Sequence, residues 1–272
     1  MNKRRLALTI ALTCVGLLLL GSFTAPERLS PVSGAEYALP MEAPPFGADA
    51  RGRSLLGYAL QGAQIVAGPA FLAAVLVGLL ATLGGLLRCA GSERLVTIVN
   101  GFREVVGALP RMVVILVVAL LTPPEWRGLG VLAVFWAILA APGAIDEASA
   151  VASRIGGANF VEALRAHGFT RPRIYLYHIV ALNLRPVIVR HASETLMQVV
   201  FLEVALSYLA LASDEPSFTH LESFHSWADL LYMGYTSLIL DVPTMHALLL
   251  GLGLVGVTAV LSVSVTASAR AR

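Results

Sequence analysis

Six stretches of the chain are almost unbroken runs of apolar residues, at 6–25, 65–87, 105–121, 129–145, 191–212 and 242–269, with polar and turn-forming residues between them. A helix needs about 17–25 residues to cross a bilayer core about 30 Å thick, and each run is long enough. Those at 65–87, 129–145 and 242–269 contain no Asp, Glu, Lys or Arg. The run at 105–121 is the weakest, because Pro110 and Arg111 interrupt it, and the run at 191–212 carries Glu194 and Glu203. The pattern predicts an all-α, polytopic membrane protein with about six transmembrane helices and a short helix between the fourth and fifth. It also divides the chain into an anchor helix with an adjoining outside segment, 1–64, and a domain of five spans, 65–272.

Composition agrees with lipid as the solvent. Charged residues make up 13% of the 272 positions and hydrophobic ones 57%, whereas soluble domains carry about 25% charge. A net charge of +2 with scattered basic residues excludes a nucleic-acid partner, which would demand a basic patch. Cys14 falls in an apolar run and Cys89 in a short polar loop, at different depths, so no disulfide framework is expected. Lys3-Arg4-Arg5 before the first run is also how a cleaved signal peptide begins. The run continues to Ala25, however, and Pro26 would follow the best cut, so we read it as a retained anchor.

Orientation follows from the cations. With the N-terminus cytoplasmic, the inside segments hold Lys3, Arg4, Arg5, Arg88, Arg94, Arg103, Arg111, Arg154, Arg165, Arg171, Arg173, Arg185, Arg190, Arg270 and Arg272. These are 15 of the 19 Lys and Arg residues, and the bias follows the positive-inside rule. Both termini are expected inside. Reporter fusions at Ser33, Ser92, Trp126, Asn159, Ser223 and Arg272 are expected to read out, in, out, in, out, in; a cytoplasmic Ser223 would break the scheme. Two outside segments are long. Residues 26–64 are rich in proline and acids, and 213–241 mix acids with Phe218, Phe224, Trp227, Tyr232 and Tyr235. The aromatics either dock a partner or sit at the headgroup level, where Trp and Tyr are enriched.

The longest inside segment, 146–190, carries a punctuated helix. Asn159 is a good N-cap, and Glu162 three residues on can reach back to its N–H, as in a capping box. Gly168 supplies the left-handed stop. Phe160, Ala163, Leu164 and His167 recur three or four residues apart and define one face. A second helix is expected from near Pro172, through Ile174, Leu176 and Ile179, toward Pro186. Taken alone, such spacing fits an ordinary connector between spans, since capping signals report only helix ends.

At these residues the chain resembles a known family. Phe160-Val161-Glu162-Ala163-Leu164-Arg165-Ala166-His167-Gly168, continued by Arg173-Ile174 and His178-Ile179, is similar to the E-A-A-x-x-x-G loop of binding-protein-dependent ABC importer permeases. The variant it most resembles is that of dipeptide, oligopeptide and nickel permeases. The likeness runs along most of the chain. Phe46-Gly47-Ala48-Asp49-Ala50-Arg51-Gly52-Arg53-Ser54 resembles L-G-T-D-x-x-G-R-D, shifted by one at the acid. Ala108-Leu109-Pro110 resembles A-F-P, Pro142-Gly143 matches P-G, and Ser226-Trp227-Ala228 is similar to the W-G of the last outside segment. Leu202-Glu203-Val204-Ala205-Leu206-Ser207-Tyr208-Leu209-Ala210-Leu211 is similar to L-E-A-S-L-S-F-L-G-L. Leu164 departs from the motif's second alanine, and Asp146 and Ser149 stand where the family usually has two arginines.

The resemblance implies the permease subunit of an ATP-driven importer in the bacterial inner membrane, forming half of a translocation path. Its partners would be a homologous second permease, two ATP-binding subunits and an extracytoplasmic substrate-binding protein. The solute is a peptide by default, with nickel or a metal chelate left open. Asn159, Phe160, Glu162, Ala163, Leu164, Arg165, His167 and Gly168 would form the helix that docks on the ATPase, Glu162 serving either as cap or as intersubunit contact. Pro110 and Glu203 are candidates for the path or for a helix interface, because an intramembrane carboxylate is expensive and faces a cavity or a partner.

The chain is not expected to be an enzyme, nor to bind a cofactor itself. It has no G-x-x-x-x-G-K-[ST] loop, so ATP and Mg²⁺ belong to the partner subunits, and it has no His-Glu-x-x-His or Gly-x-Ser-x-Gly. His220, Glu222 and His225 do not have the spacing of a helical metal site. The alternatives are a secondary transporter, for which the paired interrupted repeats are missing, and a membrane-embedded enzyme, which would cluster polar residues at one depth.

Overall fold

The computed structural model describes residues 3–43, 45–90, 93–123, 126–155, 158–212, 225–240 and 242–270. It contains α1 Lys3–Thr24, α2 Leu55–Ala90, α3 Glu93–Gly107, α4 Arg111–Leu121, α5 Leu129–Ile155 and α6 Ala158–Ala166. A π-helical segment Arg173–Leu184 leads into α7 Arg185–Ala212, and α8 Trp227–Leu240 and α9 Met245–Arg270 complete the chain. Five helices are long and apolar enough to cross a membrane, or six if the bent pair α3 and α4 counts as one span. The fold is all-α and polytopic.

The centre of the bundle is the α2/α5 interface. Ala63, Ala67, Ala70, Ala73 and Ala81 on α2 and Ala133, Ala137, Ala141, Ala144, Ala148 and Ala152 on α5 are all buried. Their three- and four-residue spacing puts each set on one face. Small faces let the backbones approach closely, which drives helix association in lipid, where burying leucine gains little. Many large apolar residues accordingly point outward: Leu8, Leu12 and Leu20 on α1, Val75 and Leu79 on α2, and Leu249 and Val263 on α9 are exposed, while others such as Leu132, Val199 and Leu230 fill the core. Polar ties are sparse and run between helices. Trp136 Nε1 donates to Gln198 Oε1 at 3.0 Å, Arg103 pairs with Asp146, and Arg190 pairs with Glu147. His191 Nε2 lies 2.8 Å from the same Glu147 carboxylate.

Neighbour contacts fix how the helices run. Gly84 and Gly85 of α2 face Ile145 and Ala148 of α5, whereas Gly78 and Gly85 face Ile188 and Leu184. Thus α5 runs alongside α2 in the same sense and the segment entering α7 runs opposite. Gly21 of α1 meets Ala63, and Val15 shares a cavity wall with Ala74, Leu261 and Val265. The beginning of α1, the end of α9 and α6 therefore share one end of the bundle.

Three expectations are corrected. Helix α2 begins at Leu55, ten residues before the apolar run, so the boundary at 64/65 falls inside a continuous helix. The polar residues there are satisfied by the preceding segment: Gln61 Nε2 donates to the Pro26 carbonyl at 2.9 Å and Tyr58 Oη to Asp49 at 2.7 Å. The third span is not one helix, since α3 and α4 meet at 81° and α3 has no buried residue. Pro110 cannot donate an N–H and its ring excludes the preceding turn from the helix. Finally, Pro186 does not end the second cytoplasmic helix. Residues 173–211 form one 39-residue helical run, because the π-helical turns carry the chain up to the proline: the Arg185 N–H bonds Val180 O five residues back. Such wide turns are rare and tend to mark functional sites.

Candidate functional site

The short helix α6 ends as its glycine predicts. Gly168 has φ +82°. Its N–H donates to Arg165 O at 2.8 Å, and the Phe169 N–H reaches back to Leu164 O at 3.1 Å. This pair of bonds is a Schellman stop, which satisfies carbonyls a helix otherwise leaves open. An added Cβ at Gly168 would meet nothing within 4 Å, so only the backbone conformation calls for glycine. The start differs from expectation. The helix begins at Ala158, which puts Asn159 inside the first turn rather than before it, and no hydrogen bond to the exposed Glu162 carboxylate is present among the described residues. A capping box needs its first residue extended and outside the helix, and Asn159 is neither.

Phe160, Ala163, Arg165 and His167 are exposed and Leu164 is half-buried. The His167 ring nitrogen Nδ1 lies 2.7 Å from Ala163 O, holding the imidazole against its own helix. Among the described residues α6 makes few contacts with the rest of the bundle. The chain beyond Gly168 is braced: Arg173 stacks its guanidinium over the Phe169 ring at 4.9 Å, and His178 meets the same ring edge-on at 5.3 Å. A nine-residue helix thus stands clear of the bundle and is joined through an aromatic knuckle to the long run entering the membrane.

Glu203 is fully buried. Its Oε1 accepts from Ser207 Oγ at 2.8 Å, one turn on, and Ser226 lies close to the carboxyl. Ser226 also starts α8: its Oγ accepts the Ala228 N–H at 3.0 Å, while Asp229 accepts the Ser226 N–H at 2.6 Å. This reciprocal pair is a capping box. Glu203 therefore sits where α7 meets the beginning of α8. Pro110 lies at the exposed break before α4, which packs on α5, so the two residues are not gathered into one site. Arg103 bonding Asp146 accounts for the acid where the resembled family has an arginine. Ser149 is buried without a hydrogen-bond partner.

The segment before α8 holds a feature the pattern of spans did not single out. Trp227 is buried, donating from Nε1 to Ala59 O at 2.9 Å, instead of lying at a headgroup surface. His225 is gripped by residues far away in the chain: Arg53 Nη1 at 3.0 Å from its Nε2, the Tyr58 ring at 4.5 Å, and Gln61 Oε1 accepting its backbone N–H at 3.1 Å. Phe218, His220, Glu222 and Phe224 lie outside the described residues. The nearest signal in the sequence was the Asp49–Arg53 resemblance, whose partner 172 positions away no local pattern reveals. Comparison with known proteins adds no relative: no family model matches the chain, and no curated protein matches it.

Proposed function

We propose that the chain is the permease subunit of an ATP-driven importer, forming half of a translocation path for a small solute in a bacterial inner membrane, with both termini and α6 on the cytoplasmic side. The observation that carries this reading is α6. Isolated helices shorter than about 12–15 residues are marginal in water, yet this one is stopped by a full Schellman motif and keeps Phe160, Ala163 and His167 exposed, with few contacts to the bundle among the described residues. A docked ATPase supplies the missing surface. A rigid, capped helix joined to 173–211 then passes displacement into a membrane span as a body. The motif resemblance at 160–168 and its continuation point to the same partner class.

Mass measurement of the gently solubilised assembly tests the proposal. The expected composition is this chain with a homologous permease and two ATPase subunits, to which an extracytoplasmic binding protein adds on loading. A stable assembly without any ATPase, transporting on an ion gradient or turning over a lipid, overturns it. The solute itself is read from the ligand carried by the cognate binding protein.

A further inference from the structure

We propose that the polar cavity walled by the 49–53 turn, Tyr58 and the residues opening α8 is a binding site for a carboxylate group, held by the guanidinium of Arg53. The cavity measures about 210 Å³ and is lined by Asp49, Arg51, Arg53, Tyr58, His225 and Asp229 among others. It lies at the beginning of α2, whose 36 residues at 1.5 Å each put it about 54 Å of helix away from the end where α6 stands.

The two acids on its wall are already engaged. Asp49 Oδ1 accepts the N–H groups of Arg51 and Arg53, each at 2.8 Å, and Oδ2 accepts the Tyr58 hydroxyl at 2.7 Å. Asp229 accepts the Ser226 N–H at 2.6 Å, and its other oxygen lies 3.8 Å from His225 Nδ1. The bases are engaged less completely. Arginine can only donate, so the 3.0 Å contact of Arg53 Nη1 with His225 Nε2 makes that nitrogen the acceptor and leaves the histidine proton on Nδ1, beside Asp229. Anchored through Nη1 and with the Tyr58 hydroxyl as a further neighbour, Arg53 has its Nε buried without a hydrogen-bond partner among the described residues, on the Nε–Nη2 edge of the guanidinium. That edge is the fork that pairs side-on with two oxygens of one carboxylate. Burying an N–H unpaired is costly, and a bound carboxylate removes the cost. Arg51 is exposed and adds positive potential at the mouth.

The ligand class follows from the same charges. A phosphate brings close to two negative charges within reach of Asp49 and Asp229, whereas a carboxylate brings one and matches one guanidinium fork. The N–H groups of Ala228 and Asp229 at the start of α8 are already taken by Ser226, and that of Ser226 by Asp229. The cavity admits an acidic end group with a few further atoms, not a whole oligomer. The importer reading bears only on where the ligand comes from, and a solute on its way in would meet this end first.

The full-length chain, with whatever subunits copurify, in phosphatidylcholine nanodiscs is titrated by calorimetry with N-acetylglycine and with its neutral isostere N-acetylglycinamide. The acid is expected to bind at least about tenfold more tightly than the amide, and inorganic phosphate to compete less well than acetate. Arg53→Gln, whose amide can still donate to His225, is expected to abolish the preference, Arg53→Lys to keep part of it, and Arg51→Gln to weaken it about twofold with a weaker salt dependence. Equal binding of acid and amide by the parental chain overturns the proposal without recourse to any variant. So does unchanged acid binding in Arg53→Gln, and phosphate outcompeting acetate overturns the carboxylate class. None of these outcomes depends on an ATPase being present, so failure here leaves the importer reading standing and the reverse holds as well.

Discussion

Replacing Gly168 by Val is expected to lower transport by the reconstituted assembly about tenfold or more while the chain still accumulates in the membrane at the parental level. The backbone at this position is left-handed, φ +82°, and two hydrogen bonds of the helix stop depend on it. A β-branched residue there costs about 1–3 kcal/mol, which is roughly a five- to 150-fold loss in the population of the closed stop. Space is not the issue, because a Cβ meets no atom within 4 Å. Asn tolerates the left-handed region, so Gly168→Asn should recover most of the activity although it is larger than Ala, and Gly168→Ala should lie between. The order Gly, Asn, Ala, Val in uptake and in coupled ATP turnover, with abundance checked by immunoblot, separates conformation from size. If Gly168→Val transports at the parental rate, α6 is a connector and the importer reading loses its mechanical basis.

The largest loss of stability is expected at Gly234, in the hairpin formed by α8 and α9. A Cβ built there falls 2.2 Å from Leu248 Cβ and 2.6 Å from both Leu248 Cα and N. These atoms are main chain or a Cβ fixed by it, so no rotamer change relieves the overlap. The helices must separate, and α8 also carries the Ser226–Asp229 cap that meets Glu203. Overpacking of this kind costs about 1–3 kcal/mol or more. Gly234→Ala should therefore lower the thermal midpoint in detergent by several degrees and reduce the monodisperse fraction. Gly253, on α9, is the matched control: it has nothing within 4 Å, and Gly within a helix is worse than Ala by about 0.5–1 kcal/mol. Gly253→Ala should leave the midpoint unchanged or raise it. Equal midpoints for the two variants would show that α8 and α9 do not cross at Gly234.

Glu203 shows how far a one-dimensional reading reaches. Its cost was visible as a carboxylate in an apolar run, with two candidate roles left open. The structure buries it beside Ser207 on its own helix and close to Ser226 at the start of the next. The motif at 160–168 divides in the same way. Its stop depends on the φ preference of one glycine and forms as expected; its start comes earlier than Asn159 predicts, since Asn159 is already helical.

Hydropathy and local backbone preference by themselves determined the all-α class, the number of candidate spans, the weakness of the third at Pro110 and the stop at Gly168, because each depends on a window no wider than a helix. Only the tertiary structure decided where α2 begins, that the third span bends by 81°, that 173–211 run on through Pro186, and that Arg53 meets His225 across 172 residues. For the start of α2 and for Arg53 with His225 the deciding free energy lies in hydrogen bonds outside the window that local preference reads; at Pro110 and Pro186 the sequence marks the break, and the backbone geometry decides whether it bends the chain or is carried through. A polar group that would end a helix alone, such as Gln61 or Tyr58, continues it once another segment satisfies its hydrogen bonds.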